Sequence, residues 1–248
     1  MQNKKAEIIY FDNYIKEMGE YKEYTEKGYQ RLVKAIRKSI NSDTKVILDC
    51  GCGSGEISRR LSTENNSVIA FDISKDSIVT AKKFSKGKDI EFLVGDLEHL
   101  PFKDTIFDLI FCVGVLHHFP DLLKAVNEIK RILKKSRRFL AIEPNSFNPL
   151  IPLGRFIANR FLRSSTYCCT PNEKIYRPKD FQEVFLSCGL NLIKYFPLNA
   201  PLARFQFLEA GIRQNRKEKT ISYGLYVIEK ILPLRCMCNR LALHFLKS

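Results

Sequence analysis

Three glycines at alternate positions are the clearest sign of chemistry in this sequence. Gly51, Gly53 and Gly55 follow a short apolar run, Val46–Leu48, and precede a segment with helical spacing of its apolar residues. Glycine has no Cβ, so a backbone built from it can turn tightly and approach a ligand closely. A glycine loop between a strand and a helix forms a nucleotide-type pocket at the carboxyl end of a parallel sheet. The pattern therefore predicts a ligand-binding loop.

Glu56, which directly follows this loop, restricts the kind of ligand. A phosphate-binding P-loop requires Lys and then Ser or Thr after its last glycine, and the dinucleotide fingerprint requires glycine where Glu56 stands. A carboxylate at the start of a helix would also compete with a pyrophosphate for the same positive helix terminus. Both phosphate-binding interpretations are therefore disfavoured.

Acidic residues follow two further apolar runs. Asp72 ends the run Ser67–Asp72, and Asp96 follows the run Ile90–Val94 after a glycine. A carboxylate at the end of the second strand can accept hydrogen bonds from the two hydroxyls of a ribose. Glycine and aspartate are also common turn residues, so an α/β domain without this chemistry would use some of them too.

Taken in order, these features resemble motif I and the acidic landmarks of the class I methyltransferases that use S-adenosylmethionine. The resemblance covers roughly residues 40–145 and is closest to the small-molecule and quinone methyltransferases. This cofactor carries a sulfonium and an ammonium, so neighbouring carboxylates attract it. In the family, Asp96 would accept a hydrogen bond from the adenine amino group, and Leu97 would contribute its backbone. The cofactor-binding residues that the resemblance implies are Asp49, Gly51, Cys52, Gly53, Gly55, Asp72, Ile73, Asp96, Leu97 and Val113.

The elements that position these residues predict an α/β fold. We expect a Rossmann-like, doubly wound sheet of seven strands, mostly parallel, with an antiparallel last strand. The fourth to sixth strands are expected at 107–113, 138–143 and 190–196, and the last at 241–246, which the resemblance places between the fifth and the sixth. Leu122, Val126, Ile129 and Leu133 predict a helix after the fourth strand, with Pro120 in its first turn. The basic run 134–138 is interpreted as the end of that helix and a turn.

The 248 residues suit one large domain rather than two. We divide it into an N-terminal helical cover (1–40), a cofactor-binding half (41–143), an insertion near the acceptor site (144–177) and a C-terminal half that completes the sheet (178–248). The aromatic residues of the N-terminal segment either cover the pocket or simply pack on the sheet. The insertion is rich in proline and apolar residues, which favours a small or lipid-like acceptor.

Two residues are candidates for catalysis. An oxygen acceptor must lose its proton, and histidine is the natural base near neutral pH. His117 and His118 follow the fourth strand, and His118 is the preferred base. Glu143, at the end of the fifth strand, is the alternative. A histidine at this place also has an ordinary structural explanation, and a carbon acceptor needs no strong base.

The composition restricts what can be expected for metal binding, cellular location and membrane contact. The eight cysteines lack the Cys-x-x-Cys spacing of common zinc sites, so we expect reduced cysteines, no metal and a cytoplasmic protein. No run of about 20 apolar residues predicts a transmembrane helix, and the N-terminus lacks the apolar run of a signal peptide. An amphipathic segment at 221–232 leaves peripheral membrane contact open.

The uneven distribution of charge along the chain leaves other functions open. The net charge is +14, and residues 151–248 hold 16 Lys and Arg against 6 Asp and Glu. Such a surface is either solvated or meets RNA or an anionic membrane. The stretch after the fourth strand lacks the Pro-Pro signature of enzymes that methylate amino groups of nucleic-acid bases. We therefore predict O- or C-methylation of a small or lipid-like acceptor. The alternatives are an RNA methyltransferase and a catalytically inert protein that binds RNA or membrane through its basic half.

Overall fold

The computed structural model describes residues 3–20, 23–148, 170, 172–174, 176–198 and 240–248. The helices in these residues are α1 (Lys4–Met18), α2 (Glu26–Arg37), α3 (Glu56–Leu61), α4 (Lys75–Phe84), α5 (Leu123–Ile132) and α6 (Pro178–Ser187). The strands are β1 (Val46–Cys50), β2 (Ser67–Asp72), β3 (Ile90–Val94), β4 (Phe107–Val113), β5 (Leu133–Pro144), β6 (Leu190–Leu198) and β7 (Arg240–Lys247). A 3₁₀ turn, Leu116–His118, follows β4.

The strands of the described residues form one sheet in the order β3-β2-β1-β4-β5-β7-β6. β1 to β5 are parallel, and β7 lies antiparallel between β5 and β6. The chain moves outward from β1 to β3 and then returns to place β4 on the other side of β1. Ligands bind at such a switch point, beyond the carboxyl ends of the strands. The crevice of this sheet therefore lies where β1 and β4 end.

Helices cover both faces of the sheet, which explains why β1 and β4 are buried almost without a break rather than at every second residue. One face packs Leu48, Ile110 and Phe139 against α5 and α6. The opposite face packs Ile47 and Leu109 against α2 and α3. Both layers of the core thus hold β1 and β4 rigidly beneath the crevice.

The sheet confirms the Rossmann-like, doubly wound fold class and the position of the antiparallel last strand. One interpretation was wrong, because the run 134–138 belongs to β5, which begins at Leu133 rather than Arg138. Ser136 has φ of +55°, and the pairing with β4 shifts register between Phe107 and Leu109. A bulge in β5 therefore accommodates charged residues that resemble a helix end in the sequence.

Other expectations differ in detail. Pro120 precedes α5 instead of lying in its first turn, because the 3₁₀ turn comes between β4 and that helix. Most of the expected insertion, and the amphipathic segment 221–232, lie outside the described residues. The division of the domain into four segments stays a prediction. In the described part of the chain, no helix is both long and apolar enough to cross a membrane.

Candidate active site

The glycine loop between β1 and α3 depends on its glycines for two reasons. Gly51, Gly53 and Gly55 have positive φ of 72°, 52° and 77°, a region in which other residues are strained. A Cβ on Gly51 would lie 2.4 Å from Cγ2 of Val115, and a Cβ on Gly55 would lie 2.9 Å from the Phe92 ring. Any side chain at these two positions would displace its neighbours, so the loop is compact by steric necessity.

Asp72 fixes the loop to the end of β2. Its carboxylate accepts hydrogen bonds from the backbone N–H of Gly53 at 2.8 Å and of Ser74 at 2.9 Å. Burial raises the pKa of Asp72, and these two hydrogen bonds partly oppose that rise. The residue expected to bind the cofactor ribose therefore lies directly against the loop.

Asp49 lies beneath the loop at the end of β1. Its side chain is fully buried and accepts a 2.6 Å hydrogen bond from Oγ of Ser58. Burial raises the pKa of Asp49 to about 7, the Ser58 hydrogen bond lowers it, and the nearby Asp72 carboxylate adds to the rise. A positive charge in the crevice would stabilise the ionised form of this carboxyl.

A cleft opens between the loop and the N-terminal region. Its lining combines carboxylates, glycines and aromatic rings: Glu23, Tyr24, Tyr29, Asp49, Gly51, Cys52, Gly53, Glu56, Ile57 and Val113. Among the five expected cofactor residues here, Cys52 has a half-buried thiol and Val113 a half-buried side chain at the end of β4. The cleft therefore offers negative charge and apolar surface in the same space.

Asp96 is paired with the N-terminal helix. Nζ of Lys4 lies 2.5 Å from Oδ2 of Asp96 and 2.5 Å from Glu98, and Oδ1 of Asp96 accepts from the N–H of Glu98 at 3.0 Å. Burial would raise the pKa of Asp96, but the hydrogen bonds from Lys4 and Glu98 outweigh it and lower the pKa. Leu97, the neighbouring cofactor candidate, is buried. Helix α1 thus contacts the expected adenine end of the site.

Glu143 organises the turn that follows β4. Its Oε1 accepts hydrogen bonds from the backbone N–H of Val115 at 3.1 Å and Leu116 at 2.9 Å. Its Oε2 lies 2.8 Å from Nδ1 of His117. Burial would raise the pKa of Glu143, but His117 and these N–H groups outweigh it and lower the pKa. The alternative base of the sequence analysis is therefore an ionised carboxylate that is already occupied with positioning the turn.

His117 is the neighbouring histidine, which the sequence expectation ranked below His118 and did not name as a base. Its Nδ1 faces the Glu143 carboxylate, which favours the proton on that nitrogen and the lone pair on Nε2. Burial, and then the neighbouring His118, lower its pKa to about 4, although Glu143 acts in the opposite direction. The imidazole is therefore neutral at physiological pH. The sequence signal was present, since Glu143 ends the neighbouring strand, but adjacency alone could not tell which histidine faces it.

His118 faces α1 and the segment at 170. Its Nδ1 lies 2.9 Å from Oγ1 of Thr170 and 3.2 Å from Oε2 of Glu7. The Phe11 ring meets its imidazole edge-on, with 5.6 Å between ring centroids. Glu7 gave no signal in the sequence, because a single acid on a mostly polar helix is usually solvated. Here it is only 3% exposed.

The structure brings most of the expected residues to one edge of the sheet. Asp49, the glycine loop, Asp72, Val113, Glu143 and both histidines all lie at the carboxyl ends of β1, β2, β4 and β5. Ile73 follows Asp72 in the same loop, half-buried. The compact loop and the surrounding carboxylates suit a ligand with a flat nucleoside and a cationic tail. These features fit S-adenosylmethionine, and the fold and site together define a class I S-adenosylmethionine-dependent methyltransferase domain.

Comparison with known proteins agrees with this class. Residues 48–141 match the model of the methyltransferase domain family. An uncharacterized methyltransferase of Bacillus subtilis is 38% identical over 100 residues, which cover 39% of this chain and 40% of that protein. A demethylmenaquinone methyltransferase of Chlorobaculum tepidum is 28% identical over 188 residues, which cover 69% of this chain and 77% of the relative.

Solved structures extend the likeness beyond the matched domain. A methyltransferase of Haloferax volcanii, solved in complex with the activator Trm112, has a TM-score of 0.66 at 18% identity. The match covers 96% of this chain and 93% of that one. At this identity it shows the fold alone. The sequence likeness spans only 40% of the length of the Bacillus subtilis relative, and 56% of the length of an uncharacterized protein of Methanocaldococcus jannaschii.

Proposed function

We propose that this protein transfers the methyl group of S-adenosylmethionine to an oxygen or ring carbon of a small aromatic acceptor of the quinone-precursor type. One observation carries the proposal: the turn that follows β4, Val115–His118 (the histidine turn), lies directly against the glycine loop Gly51–Gly55, here also called the cofactor loop. A Cβ on Gly51 would lie 2.4 Å from Cγ2 of Val115. A carboxylate-oriented imidazole is thus held beside the loop that binds the methyl donor.

The chain's own residues would bind the cofactor at three places. Each oxygen of Asp72 accepts one backbone hydrogen bond and retains a lone pair for a ribose hydroxyl. Asp96 and the backbone of Leu97 are assigned to the adenine. Asp49, Gly51, Cys52, Gly53, Gly55, Ile73 and Val113 complete the proposed contacts. When bound, the cofactor supplies an electrophilic methyl group on a sulfonium.

The turn would manage the acceptor's proton. Methyl transfer is an in-line displacement, so the protein's main task is to hold the acceptor atom in position. Nε2 of His117 is the acceptor of that proton, because Glu143 fixes Nδ1 as the donor nitrogen. His118, the base expected from the sequence, lies on the same turn, with its Nδ1 directed toward Thr170 and Glu7.

The acceptor class rests on two supports. The relative that covers 69% of this chain is named for methylation of demethylmenaquinone. The site also contains aromatic surface, with Phe11 packed edge-on against His118 and Tyr24 edge-on against Tyr29. Flat apolar rings bind well between such side chains.

The test is a radiolabel transfer assay with demethylated quinone precursors as acceptors. We expect turnover, and we expect His117→Gln to lower kcat by about 10²- to 10⁴-fold with little change in cofactor affinity. His118→Gln separates the two histidines, and His99→Gln is the control, because His99 is 71% exposed. A loss of kcat confined to His118→Gln would move the base to His118. Cofactor binding without turnover on any ring acceptor would contradict the proposed acceptor class.

A further inference from the structure

A second feature of the histidine turn is a cluster of metal-type ligands. One ring nitrogen each of His117 and His118 and one carboxylate oxygen of Glu173 lie within 4.8 Å of one another. A zinc-class ion binds such atoms at about 2.0–2.2 Å, so two of its ligands are never more than about 4.4 Å apart. A movement of a few tenths of an ångström would bring all three atoms to bonding distance.

Both imidazoles are oriented as metal ligands are. Metal-binding histidines commonly donate their other ring N–H to a carboxylate. Nδ1 of His117 faces Glu143 at 2.8 Å, and Nδ1 of His118 lies 2.9 Å from Oγ1 of Thr170 and 3.2 Å from Oε2 of Glu7. When Nδ1 donates its hydrogen to the carboxylate, Nε2 is the ring nitrogen that carries the lone pair. The same carboxylates that position the turn thus prepare two nitrogen ligands.

Glu173 is held beside these rings by its own segment. One of its carboxylate oxygens accepts from the backbone N–H of Thr170 at 3.1 Å, and the backbone N–H of Lys174 donates to the carbonyl of His117 at 2.7 Å. Asn172 ties the segment to α1, since its side chain bonds the backbone of Asn3 at both ends. The third ligand is therefore fixed by backbone contacts on both sides.

Glu7 joins the same cluster from α1. Its Oε1 accepts from Asn172 at 2.8 Å, and its buried Oε2 lies 3.2 Å from Nδ1 of His118. Glu7 is 3% exposed and Glu143 is 1% exposed. Buried carboxylates are normally paired or close to a metal. Three carboxylates, those of Glu7, Glu143 and Glu173, thus lie near the two imidazoles.

We propose that His117, His118 and Glu173 bind a divalent transition-metal ion of the zinc class, with Glu7 and Glu143 as supporting carboxylates. This departs from the sequence expectation of no metal, which rested on cysteine spacing alone. Two imidazoles and a carboxylate suit zinc, manganese or iron(II) better than magnesium. The proposal rests on the same turn as the proposed function. In the loaded protein a bound ion would take the place of His117 in activating an acceptor oxygen.

The chain contains its own control. Asp96, Glu98 and His99 form a second group of metal-type ligands, with one histidine and two carboxylates, but Lys4 already supplies a positive charge there. In this second group Asp96 and Glu98 are half-buried, and His99 is exposed. A cation site created by carboxylates and histidine alone would appear at both groups. One created by the oriented imidazoles would appear only at the histidine turn.

The experiment is calorimetric titration of chelator-treated protein with zinc chloride, and with magnesium chloride for comparison, without S-adenosylmethionine. We expect one saturable zinc site that His118→Gln and Glu173→Gln each weaken by about tenfold or more, while His99→Gln leaves it unchanged. No saturable zinc binding, or equal binding in all variants, would overturn the proposal.

Cobalt(II) substitution gives a readout that needs no variant. We expect absorption bands of nitrogen and oxygen ligands; thiolate charge-transfer absorption would assign the metal to cysteines and overturn the site. Circular dichroism confirms that each variant is folded, and Glu173→Asp replaces Glu173→Gln if the latter is not. Zinc binding without S-adenosylmethionine binding would contradict the proposed function and support the metal site. S-adenosylmethionine binding without zinc binding would contradict the metal site and leave the proposed function standing.

Discussion

At the scale of single residues, Gly51 couples the cofactor loop to the histidine turn. Its backbone needs positive φ, and its missing side chain provides the space that Val115 occupies. The two constraints are separable in this chain. Gly87 has the same conformation, with φ of +79°, but a Cβ there would meet nothing within 4 Å.

We therefore predict different results for two alanine variants. Gly87→Ala should lose only the left-handed backbone preference, about 1 kcal/mol of unfolding free energy. Gly51→Ala should lose more stability and most of its affinity for S-adenosylmethionine, because Val115 must move. Thermal unfolding and calorimetry measure the two effects. Adding Val115→Ala should restore part of the affinity, and wild-type binding by Gly51→Ala would contradict this account of the loop.

His117 predicts an unusual pH dependence. Burial and the neighbouring His118 lower its pKa to about 4 despite Glu143. A base must be unprotonated, so kcat at saturating S-adenosylmethionine should stay level as pH falls through 6 and decline only toward about 4. A pH–rate profile of the purified enzyme tests this in a buffer of constant ionic strength. An acidic limb near 6.5, the ordinary histidine value, would rule out this assignment.

At the scale of the elements, β7 carries a buried histidine in the middle of the sheet. Nδ1 of His244 lies 3.3 Å from Oγ of Ser39, and its ring packs beside Phe196. Its buried Nε2 has no hydrogen-bond partner among the described residues. Burial, followed by the nearby Lys194 and other cations, lowers its pKa to about 4.

This histidine should make the protein less stable in mild acid. Above pH 6.5 it is neutral in both states, so it has no effect. As pH falls from 6.5 toward 4, the unfolded chain takes up a proton that the folded chain does not. The free energy of unfolding should therefore fall by roughly 2–3 kcal/mol from this group. Denaturant melts from pH 7 to 4.5 measure the slope. His244→Gln should reduce it and His99→Gln should not; equal slopes in all three proteins would refute the prediction.

The packing of helix α1 could not be predicted from the pattern of apolar residues in the sequence. Three of its contacts are polar: Lys4 with Asp96, Glu7 with His118, and Asp12 with Oγ of Ser74 at 2.6 Å. A helix that docks through polar groups has no strong apolar stripe, so its packing could not be read from periodicity. The parallel strands were predictable for the opposite reason, because burial on both faces requires continuous apolar runs.

At the scale of the whole molecule, the last strand closes the sheet. Phe245 of β7 stacks on Phe185 of α6, with 4.0 Å between ring centroids, and on Phe139 of β5 at 5.9 Å. Residues far apart in the chain thereby join β5, α6 and β7 in one aromatic core. The C-terminal half thus contributes α6, β6 and β7 to the fold.

Phe245→Ala should therefore destabilise the whole domain. Removing a fully buried phenylalanine typically costs about 3–5 kcal/mol. Phe147→Ala is the matched control, because Phe147 is 52% exposed and should cost little. Denaturant unfolding followed by circular dichroism compares the two. A loss of less than about 1 kcal/mol in Phe245→Ala would mean that β7 does not stabilise the sheet as described.

The sequence predicted the strands and the glycine loop, because apolar runs and glycine spacing are local signals. It missed the bulge in β5, since a basic run has the same composition in a strand as at a helix end. Its preference for His118 as the base stays a prediction. Only the three-dimensional structure shows that Glu143 faces Nδ1 of His117, whereas Thr170 and Glu7 face Nδ1 of His118.

The central claim is that the glycine loop and Asp72 form a site for S-adenosylmethionine. Calorimetric titration of the purified protein with S-adenosylmethionine, with NADH as the comparison ligand, tests it most directly. We predict saturable one-to-one binding of S-adenosylmethionine only, weakened about tenfold or more by Asp72→Ala, since hydrogen bonds to a charged group are worth about 1.5–3 kcal/mol. Asp43→Ala, on the exposed loop before β1, should bind normally. Absence of S-adenosylmethionine binding, or full affinity in Asp72→Ala, would contradict the account.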